Sequence, residues 1–174
     1  LVERKYLIEY QLQKDRIDEY DDHIEDAYQL SEAQQKAFDE IQIQFKKQST
    51  VLLQGVTSSG KTEIYFQLIE QQVKEGKNYL LLLPEISITT QLVGKIQKRF
   101  GDEVGVYHSK LNPNERVEVW KNTLANKYKI LIGARSTIFL PLQNMGLFIV
   151  DEEHDSSYKQ SDTQPYYQAR DCVQ

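Results

Sequence analysis

Short apolar runs alternate along the chain with longer segments in which apolar residues recur every three or four positions. Near-continuous apolar runs are typical of strands buried on both faces, and the longer recurrence is typical of amphipathic helices. This alternation predicts an α/β domain with a mostly parallel, doubly wound sheet and helices on both faces. The predicted strands are 51–54, 79–83, 104–108, 129–132 and 147–150, and helices are predicted at 61–75 and 86–100.

Two further helices are predicted from their capping signals. Ser31 is followed three residues later by Gln34, the arrangement of a capping box. Asn112 precedes Pro113, a residue favoured in the first turn of a helix. The side chains that this last helix is expected to turn towards the core are Val117, Trp120 and Leu124.

Charge is distributed unevenly along the chain. Residues 1–28 carry nine acidic and four basic side chains and residues 29–174 carry 17 of each, so the net charge of −5 belongs to the first segment. We expect 1–28 to be an acidic connecting segment or the tail of a preceding domain, and the chain, which begins with Leu1, to be a piece of a larger protein. Apolar residues that approximate one helical face there are Tyr6, Tyr10, Ile17, Tyr20 and Ile24.

Residues 55–62 form a motif with phosphate-binding chemistry. They read Gly-Val-Thr-Ser-Ser-Gly-Lys-Thr and lie between a predicted strand and a predicted helix. In such a P-loop, glycines allow the backbone to approach phosphate, Lys61 reaches the β- and γ-phosphates, and the Thr62 hydroxyl binds Mg²⁺. The residues assigned to nucleotide binding are Gly55, Thr57, Ser58, Ser59, Gly60, Lys61 and Thr62.

Residues 151–154 read Asp-Glu-Glu-His and directly follow a predicted strand. Ligands of open α/β sheets bind at the carboxyl ends of the strands. We therefore expect Asp151 to hold the hydration shell of Mg²⁺ and Glu152 to act as the general base. His154 is either structural or a sensor of the γ-phosphate. Catalysis is assigned to Lys61, Asp151 and Glu152.

Composition indicates the compartment. The single cysteine, Cys172, excludes an internal disulfide and a cysteine-based zinc site within these residues. No apolar run approaches the roughly 20 residues needed to span a bilayer. We expect a cytoplasmic location and no membrane partner.

Several strings resemble the motifs of superfamily 2 helicases. Residues 151–154 resemble the DExH signature, 84–91 resemble motif Ia, 133–136 motif Ib, and 30–34 a Q-motif. The Q-motif resemblance implies that Gln34 contacts the adenine edge, because its side-chain amide can form two hydrogen bonds, with adenine N6 and N7.

The chain is similar in more detail to the PriA family of primosomal replication-restart helicases. The strings that carry the resemblance are 55–63, 83–86, 107–109 and 151–160, the last reading Asp-Glu-Glu-His-Asp-Ser-Ser-Tyr-Lys-Gln. They occur in the family's order and span about residues 28–174. Ser59 departs from the pattern, because the family often has glycine there.

This resemblance implies that 29–174 are the first RecA-like lobe, truncated at its C-terminus, of a 3′→5′ DNA helicase that uses ATP and Mg²⁺ to restart stalled replication forks. It implies single-stranded and forked DNA, single-strand-binding protein and primosome-loading proteins as partners. The family's cysteine-rich zinc region is not found in these residues, nor is its second lobe, which supplies an arginine to the ATP site. We expect the chain alone to bind nucleotide but hydrolyse it poorly.

Candidate DNA contacts lie in two regions. Thr89, Arg135 and Ser136 fall in the motif Ia and Ib regions and are candidates for sugar-phosphate contacts, although Thr89 is also suited to cap a helix. Aromatic and basic residues after the acidic motif are candidates for sensing DNA, unless the tyrosines pack under a loop and Arg170 pairs with Asp171. These candidate sensors are Tyr158, Lys159, Tyr166, Tyr167 and Arg170.

Other functions stay open at this stage. A P-loop phosphotransferase is one, although an arginine-rich lid is not evident. Another superfamily 2 DNA translocase is a second. A scaffold that keeps the fold without hydrolysis is a third, and the intact Lys61 and Glu152 argue against it.

Overall fold

The structure, a computed structural model, describes residues 29–56 and 59–172, so the helical face predicted within 1–28 lies outside the described residues. The helices are α1 (Glu32–Phe45), α2 (Lys61–Val73), α3 (Thr90–Phe100) and α4 (Pro113–Leu124). Strands β1 (Asn78–Leu82), β2 (Val104–Tyr107), β3 (Ile130–Gly133) and β4 (Met145–Val150) form one sheet in the order β2-β3-β1-β4. Strands β5 (Lys159–Gln160) and β6 (Tyr167–Gln168) form a separate antiparallel pair.

The main sheet is covered on both faces, as predicted. All of its pairings are parallel. Alternate residues of β1 point to opposite sides: Tyr79 and Leu81 pack with α2 and α3, whereas Leu80 and Leu82 pack with α4 and the segment that contains Tyr158. Each fully buried aliphatic side chain contributes about 1.5–3 kcal/mol, so the two apolar layers fix the sheet between the helices. The doubly wound parallel fold is therefore confirmed.

The predicted capping box at Ser31 is present, and the predicted cap at Asn112 forms a second capping box. The Ser31 hydroxyl accepts from the Gln34 amide at 3.3 Å, and the Gln34 side chain accepts from the Ser31 amide at 2.8 Å. Asn112 and Glu115 make the equivalent reciprocal pair at the start of α4. Because these bonds satisfy amides that lack partners within the helix, they fix where α1 and α4 begin.

The strand predicted at 51–54 is wrong. Val51 and Leu53 are half-buried, and Leu53 packs against the helices, but the segment belongs to neither sheet. A cleft separates it from β4, and Leu52 remains 76% exposed. Side-chain packing on α1 and α2 holds the segment in place without ladder hydrogen bonds to β4.

The helix predicted to begin at residue 86 begins at Thr90 instead. Residues Glu85–Ser87 form a short 3₁₀ turn, and the Thr89 hydroxyl accepts from the Leu92 amide at 3.2 Å. That side-chain cap defines the first turn of α3, so the segment before it turns separately.

The predicted orientation of α4 is also wrong. Val117, Trp120 and Leu124 are 51%, 45% and 54% exposed, whereas Val119 and Thr123 are buried. The Thr123 hydroxyl donates to the Val119 carbonyl at 2.7 Å, which satisfies it inside the protein. The Arg116 guanidinium donates to two loop carbonyls, of Ser109 and Leu111. These anchors fix which side of α4 faces the sheet, and the apolar stripe points outward.

None of the helices within residues 29–56 and 59–172 is both long and apolar enough to cross a bilayer.

Candidate functional site

The P-loop and the acidic motif meet at one edge of the sheet. The Lys61 ammonium donates to the Gly55 carbonyl at 2.9 Å and lies 3.4 Å from Glu152 Oε1. Lys61 starts α2, and Glu152 follows β4, so the contact joins residues 91 positions apart. The two side chains are 16% and 32% exposed, and an ion pair this sheltered is screened less than one on the surface.

Glu152 has an unusual backbone conformation. Its φ of +46° lies in the left-handed region, which costs a residue with a Cβ on the order of 1–3 kcal/mol and is found preferentially at functional sites. Its carbonyl accepts from the Asp155 amide at 2.8 Å, which closes the turn after β4. The tight turn holds the Glu152 carboxylate next to Lys61. His154 is 76% exposed, with its Nε2 3.7 Å from Glu152 Oε2, and its role as a phosphate sensor stays a prediction.

Asp151 is held by three hydrogen bonds. Its amide donates to the Leu82 carbonyl at 3.0 Å, its Oδ1 accepts from the Tyr65 hydroxyl at 2.9 Å, and its carbonyl accepts from the Tyr158 hydroxyl at 2.7 Å. Burial, aided by the charge of Asp151, raises the pKa of both tyrosines, so both hydroxyls remain donors at neutral pH. Asp151 therefore has a fixed backbone and one engaged carboxylate oxygen.

Gln34 contacts the P-loop directly. Its Nε2 donates to the Gly60 carbonyl at 3.1 Å, while its Oε1 accepts from the Ser31 amide. Gly60 has a φ of +82°, and a Cβ at this position would collide with Gln34 Nε2. Gln34 thus fixes α1 against the phosphate loop, and its contact with adenine stays a prediction.

Substituting Gly60 with alanine is expected to lower nucleotide affinity by at least about tenfold, because the new methyl group displaces the Gln34 amide and shifts amides that bind phosphate. Binding of a fluorescent ADP analogue measures the effect. Gly76→Ala is the matched control, since Gly76 has a similar φ of +70° but open space around it. Both variants carry the backbone strain, so equal affinities in the two would contradict this role for Gly60.

The site contains ligands suited to Mg²⁺. Thr62 lies in the first turn of α2 and Asp151 at the end of β4, and hydroxyl and carboxylate oxygens are the hard donors that Mg²⁺ prefers. In the described part of the chain no three His, Cys, Asp or Glu side chains form a metal-binding group. Mg²⁺ bound through one carboxylate, a hydroxyl, water and substrate phosphates needs no such group, so the residues fit this ion. Thr57 and Ser58 lie outside the described residues.

An open cleft of about 610 Å³ runs between the segment 51–54 and the exposed edge of β4. Lys61, Asp151 and Glu152 line one end of it, and Gln34 does not. The catalytic candidates are therefore accessible to solvent from the cleft.

Arg135 links the motif Ib region to the small antiparallel sheet. Its guanidinium donates to the Lys159 carbonyl at 2.6 Å and lies 5.7 Å from the centre of the Tyr167 ring. Tyr167 also packs edge-on against Phe139, with ring centroids 5.3 Å apart. Arg135 and Tyr167 thus lie together, and their contacts with DNA stay predictions.

The other candidate DNA residues are in different environments. Tyr158 is 1% exposed, so it is not available for stacking on a base, and its hydroxyl instead supports Asp151.

Tyr166 is 65% exposed, and Lys159 is exposed as well. Arg170 donates to Glu153 at 2.9 Å and to Asp171 at 3.3 Å, as the alternative interpretation in part expected. Ser136 is exposed, and Thr89 acts as a helix cap.

Sequence reasoning missed two sets of contacts around the site. The first is Tyr65, whose position one helical turn after Lys61 was the available signal. The second is Arg99 on α3, which pairs with Glu70 at 2.6 Å and Glu63 at 3.7 Å on α2. These ion pairs fix the P-loop helix against α3.

Comparison with known proteins assigns the family. A family model described as DEAD/DEAH box helicase matches residues 31–172. The replication restart protein PriA of Chlamydia trachomatis is 52% identical over 124 residues, which are 71% of this chain and 16% of the relative. PriA of Bacillus subtilis is 42% identical over 146 residues, which are 83% of this chain and 18% of the relative. The chain thus spans about a sixth of the length of these curated relatives.

A solved structure, the Sulfolobus solfataricus SWI2/SNF2 ATPase C-terminal domain, aligns with a TM-score of 0.39 and 16% identity over 60% of this chain and 59% of that chain. The family match covers both the P-loop and the acidic motif, which meet at the contact between Lys61 and Glu152. The chain belongs to the DEAD/DEAH box helicase family, and its resemblance to the first helicase lobe of PriA proteins is confirmed.

Proposed function

We propose that this chain is the nucleotide-binding lobe of an ATP-dependent 3′→5′ DNA helicase that acts in replication restart. The observation that carries the proposal is the 3.4 Å contact between Lys61 Nζ and Glu152 Oε1, which joins the P-loop to the acidic motif. The setting is supported by the names of the relatives, which are replication restart proteins.

The residues divide the chemistry between them. Lys61 exchanges the Gly55 carbonyl for phosphate oxygens and neutralises charge that develops on the transferred group. Glu152 orients the attacking water and accepts its proton. Thr62 and Asp151 hold Mg²⁺, which when bound supplies charge neutralisation at the phosphates. Gln34, beside Gly60, contacts the adenine edge.

We further propose that a second helicase lobe completes this site with an arginine. Lys61 and Glu152 lie at an open cleft edge, where another lobe has access to them. An arginine that approaches the transferred phosphate is worth about 10³–10⁵ in rate in related phosphoryl-transfer sites. The chain alone is therefore expected to bind nucleotide and to hydrolyse it slowly.

The proposed partners follow from the same assignment. They are single-stranded and forked DNA, single-strand-binding protein and primosome-loading proteins, in a cytoplasmic setting. Zinc is expected in a full-length protein of this family, outside the region that corresponds to residues 1–174.

DNA contact is proposed to reach the ATP site through the segment around β5 and β6. Arg170 bonds to Glu153 of the acidic motif, and the buried Tyr158 bonds to the Asp151 carbonyl. Lys159 and Tyr166 present a cation and an aromatic ring to solvent in the same segment. A DNA phosphate bound by Lys159 and a base stacked on Tyr166 would thus contact the same segment as Tyr158 and Arg170, which are hydrogen-bonded to the acidic motif.

Tyr166→Ala is expected to raise the concentration of single-stranded DNA that half-stimulates ATP hydrolysis by about 5- to 150-fold, the range that corresponds to the loss of one base–aromatic stack. The measurement is steady-state hydrolysis in a two-lobe protein that contains the chain. Tyr166→Phe keeps the ring face and serves as the control. If both variants behave like the wild type, Tyr166 does not stack on DNA.

The proposal is tested by assaying the two-lobe protein for DNA-stimulated hydrolysis and for unwinding of forked DNA. Hydrolysis that DNA does not stimulate would favour a phosphotransferase. Stimulation without strand separation would favour a translocase of another kind. Stimulated hydrolysis together with 3′→5′ unwinding is the expected result.

A further inference from the structure

Tyr65 connects the P-loop helix to the acidic motif. It lies on α2 one turn after Lys61, so both side chains emerge on neighbouring parts of one helix face. Its ring is 7% exposed and packs in the apolar cluster between α2 and the sheet. Its hydroxyl reaches Asp151 Oδ1 at 2.9 Å, which is a hydrogen bond of ordinary length.

The bond restricts the one part of Asp151 that is otherwise free to turn. The backbone of Asp151 is fixed by Leu82 on one side and by the Tyr158 hydroxyl on the other. These contacts leave the two side-chain torsions open. A donor on Oδ1 favours one orientation of the carboxylate, and Asp151 lines the same cleft as Lys61.

Another tyrosine in the same cluster provides a contrast. Tyr79 is 1% exposed and belongs to the same apolar cluster as Tyr65. Its hydroxyl is buried with no hydrogen-bond partner in the described structure. The Tyr65 hydroxyl, by comparison, is bonded to the residue proposed to bind Mg²⁺.

We propose that Tyr65 is a positioning residue for Mg²⁺, acting through its hydrogen bond to the Asp151 carboxylate. The proposal rests on the proposed function, because it assigns a role within that same site. Partners that orient metal-binding groups are often worth 10- to 100-fold in metal affinity when they are removed. A carboxylate that binds Mg²⁺ through water is expected to show the lower end of that range.

The test is a Mg²⁺ titration of the binding of a fluorescent ADP analogue to the full 174-residue chain. Tyr65→Phe is expected to raise the Mg²⁺ concentration at half-maximal binding about tenfold. Binding in EDTA should stay within about twofold of the wild type, and the affinity at saturating Mg²⁺ should fall by about the same tenfold, because the binding of Mg²⁺ and of nucleotide are thermodynamically linked. Tyr79→Phe removes a hydroxyl from the same cluster without breaking a bond and should leave the Mg²⁺ midpoint unchanged.

A second measurement separates positioning from general support of the fold. If Tyr65 acts through Asp151, Tyr65→Phe should have no further effect on the Mg²⁺ midpoint in an Asp151→Ala background, which has no side-chain oxygen to accept from Tyr65. A lower melting temperature with an unchanged Mg²⁺ midpoint would overturn the proposal, as would additive effects in the double variant. If the wild-type chain binds the analogue without any dependence on Mg²⁺, the proposed function itself fails, which is a distinguishable result.

Discussion

Replacing Lys61 with alanine is expected to lower ATP hydrolysis at least about 100-fold in a two-lobe protein that contains this chain. The ammonium is the positive side chain that the structure places in the P-loop, and among the described residues it contacts the Gly55 carbonyl and Glu152, which nucleotide phosphates can replace. The loss of one preorganised group that stabilises transition-state charge typically costs 10²–10³ in rate. Nucleotide affinity should fall as well, because Lys61 also binds the ground-state phosphates.

The control for this variant is Lys74→Ala. Lys74 is exposed and lies just after the C-terminal end of α2. Its replacement by alanine therefore removes one positive charge next to the same helix, at a distance from the site. It should hydrolyse ATP at the wild-type rate. A Lys61→Ala protein that folds, as judged by circular dichroism, and keeps more than a tenth of the wild-type rate would remove Lys61 from the mechanism.

Replacing Glu152 with glutamine is expected to abolish hydrolysis while preserving nucleotide binding. The amide has the size of the carboxylate but accepts no proton from water, and general base catalysis contributes about 10²–10⁴ in rate. Binding should hold or strengthen, since Lys61 loses its ion pair with Glu152 and becomes fully available to phosphate. Single-turnover hydrolysis and ADP-analogue binding measure the two effects separately.

Glu153→Gln is the matched control for the Glu152 variant. Glu153 belongs to the same motif but pairs with Arg170 at 2.9 Å, where both side chains are substantially exposed. Exposed pairs of this kind are worth little to stability. Glu153→Gln should therefore keep hydrolysis near the wild-type rate without DNA. If it lost hydrolysis as completely as Glu152→Gln, the assignment of the base would be contradicted.

The alternation of strands and helices could be predicted from the sequence because the strands of the main sheet are continuous apolar runs with clear caps between them. Ser31 and Asn112 carry local signals that depend on a few neighbouring residues, and both capping boxes formed. The segment 51–54 has the same apolar pattern but is not a strand. Composition alone does not specify whether an extended segment makes ladder hydrogen bonds to a neighbour.

The orientation of α4 shows a second limit. An apolar stripe at 117, 120 and 124 is visible in the sequence, but the sheet contacts the side that carries Val119. The anchors that decide this, from Arg116 to loop carbonyls, depend on chain segments that meet only in the folded protein. Helical periodicity identifies an apolar side of a helix, but it does not identify which element of the fold packs against that side.

The site was predictable where chemistry depends on short motifs and unpredictable where it depends on tertiary contacts. Their motifs predict roles for Lys61 and Glu152, and the structure brings the two side chains together. Aromatic residues near basic ones suit stacking and predict that Tyr158 contacts DNA, yet its ring is buried and its hydroxyl supports Asp151. Tyr65 carries no motif of its own, and only the fold shows its bond to Asp151.

The most direct measurement of the central claim, that this chain carries one half of a DNA-dependent ATP site, compares two rates of hydrolysis. One is the rate of the 174-residue chain alone, and the other is the rate of a two-lobe protein that contains it, each with and without single-stranded DNA. We predict slow hydrolysis that DNA leaves unchanged for the chain alone, and fast, DNA-stimulated hydrolysis for the two-lobe protein. Fast, DNA-stimulated hydrolysis by the chain alone would contradict the account.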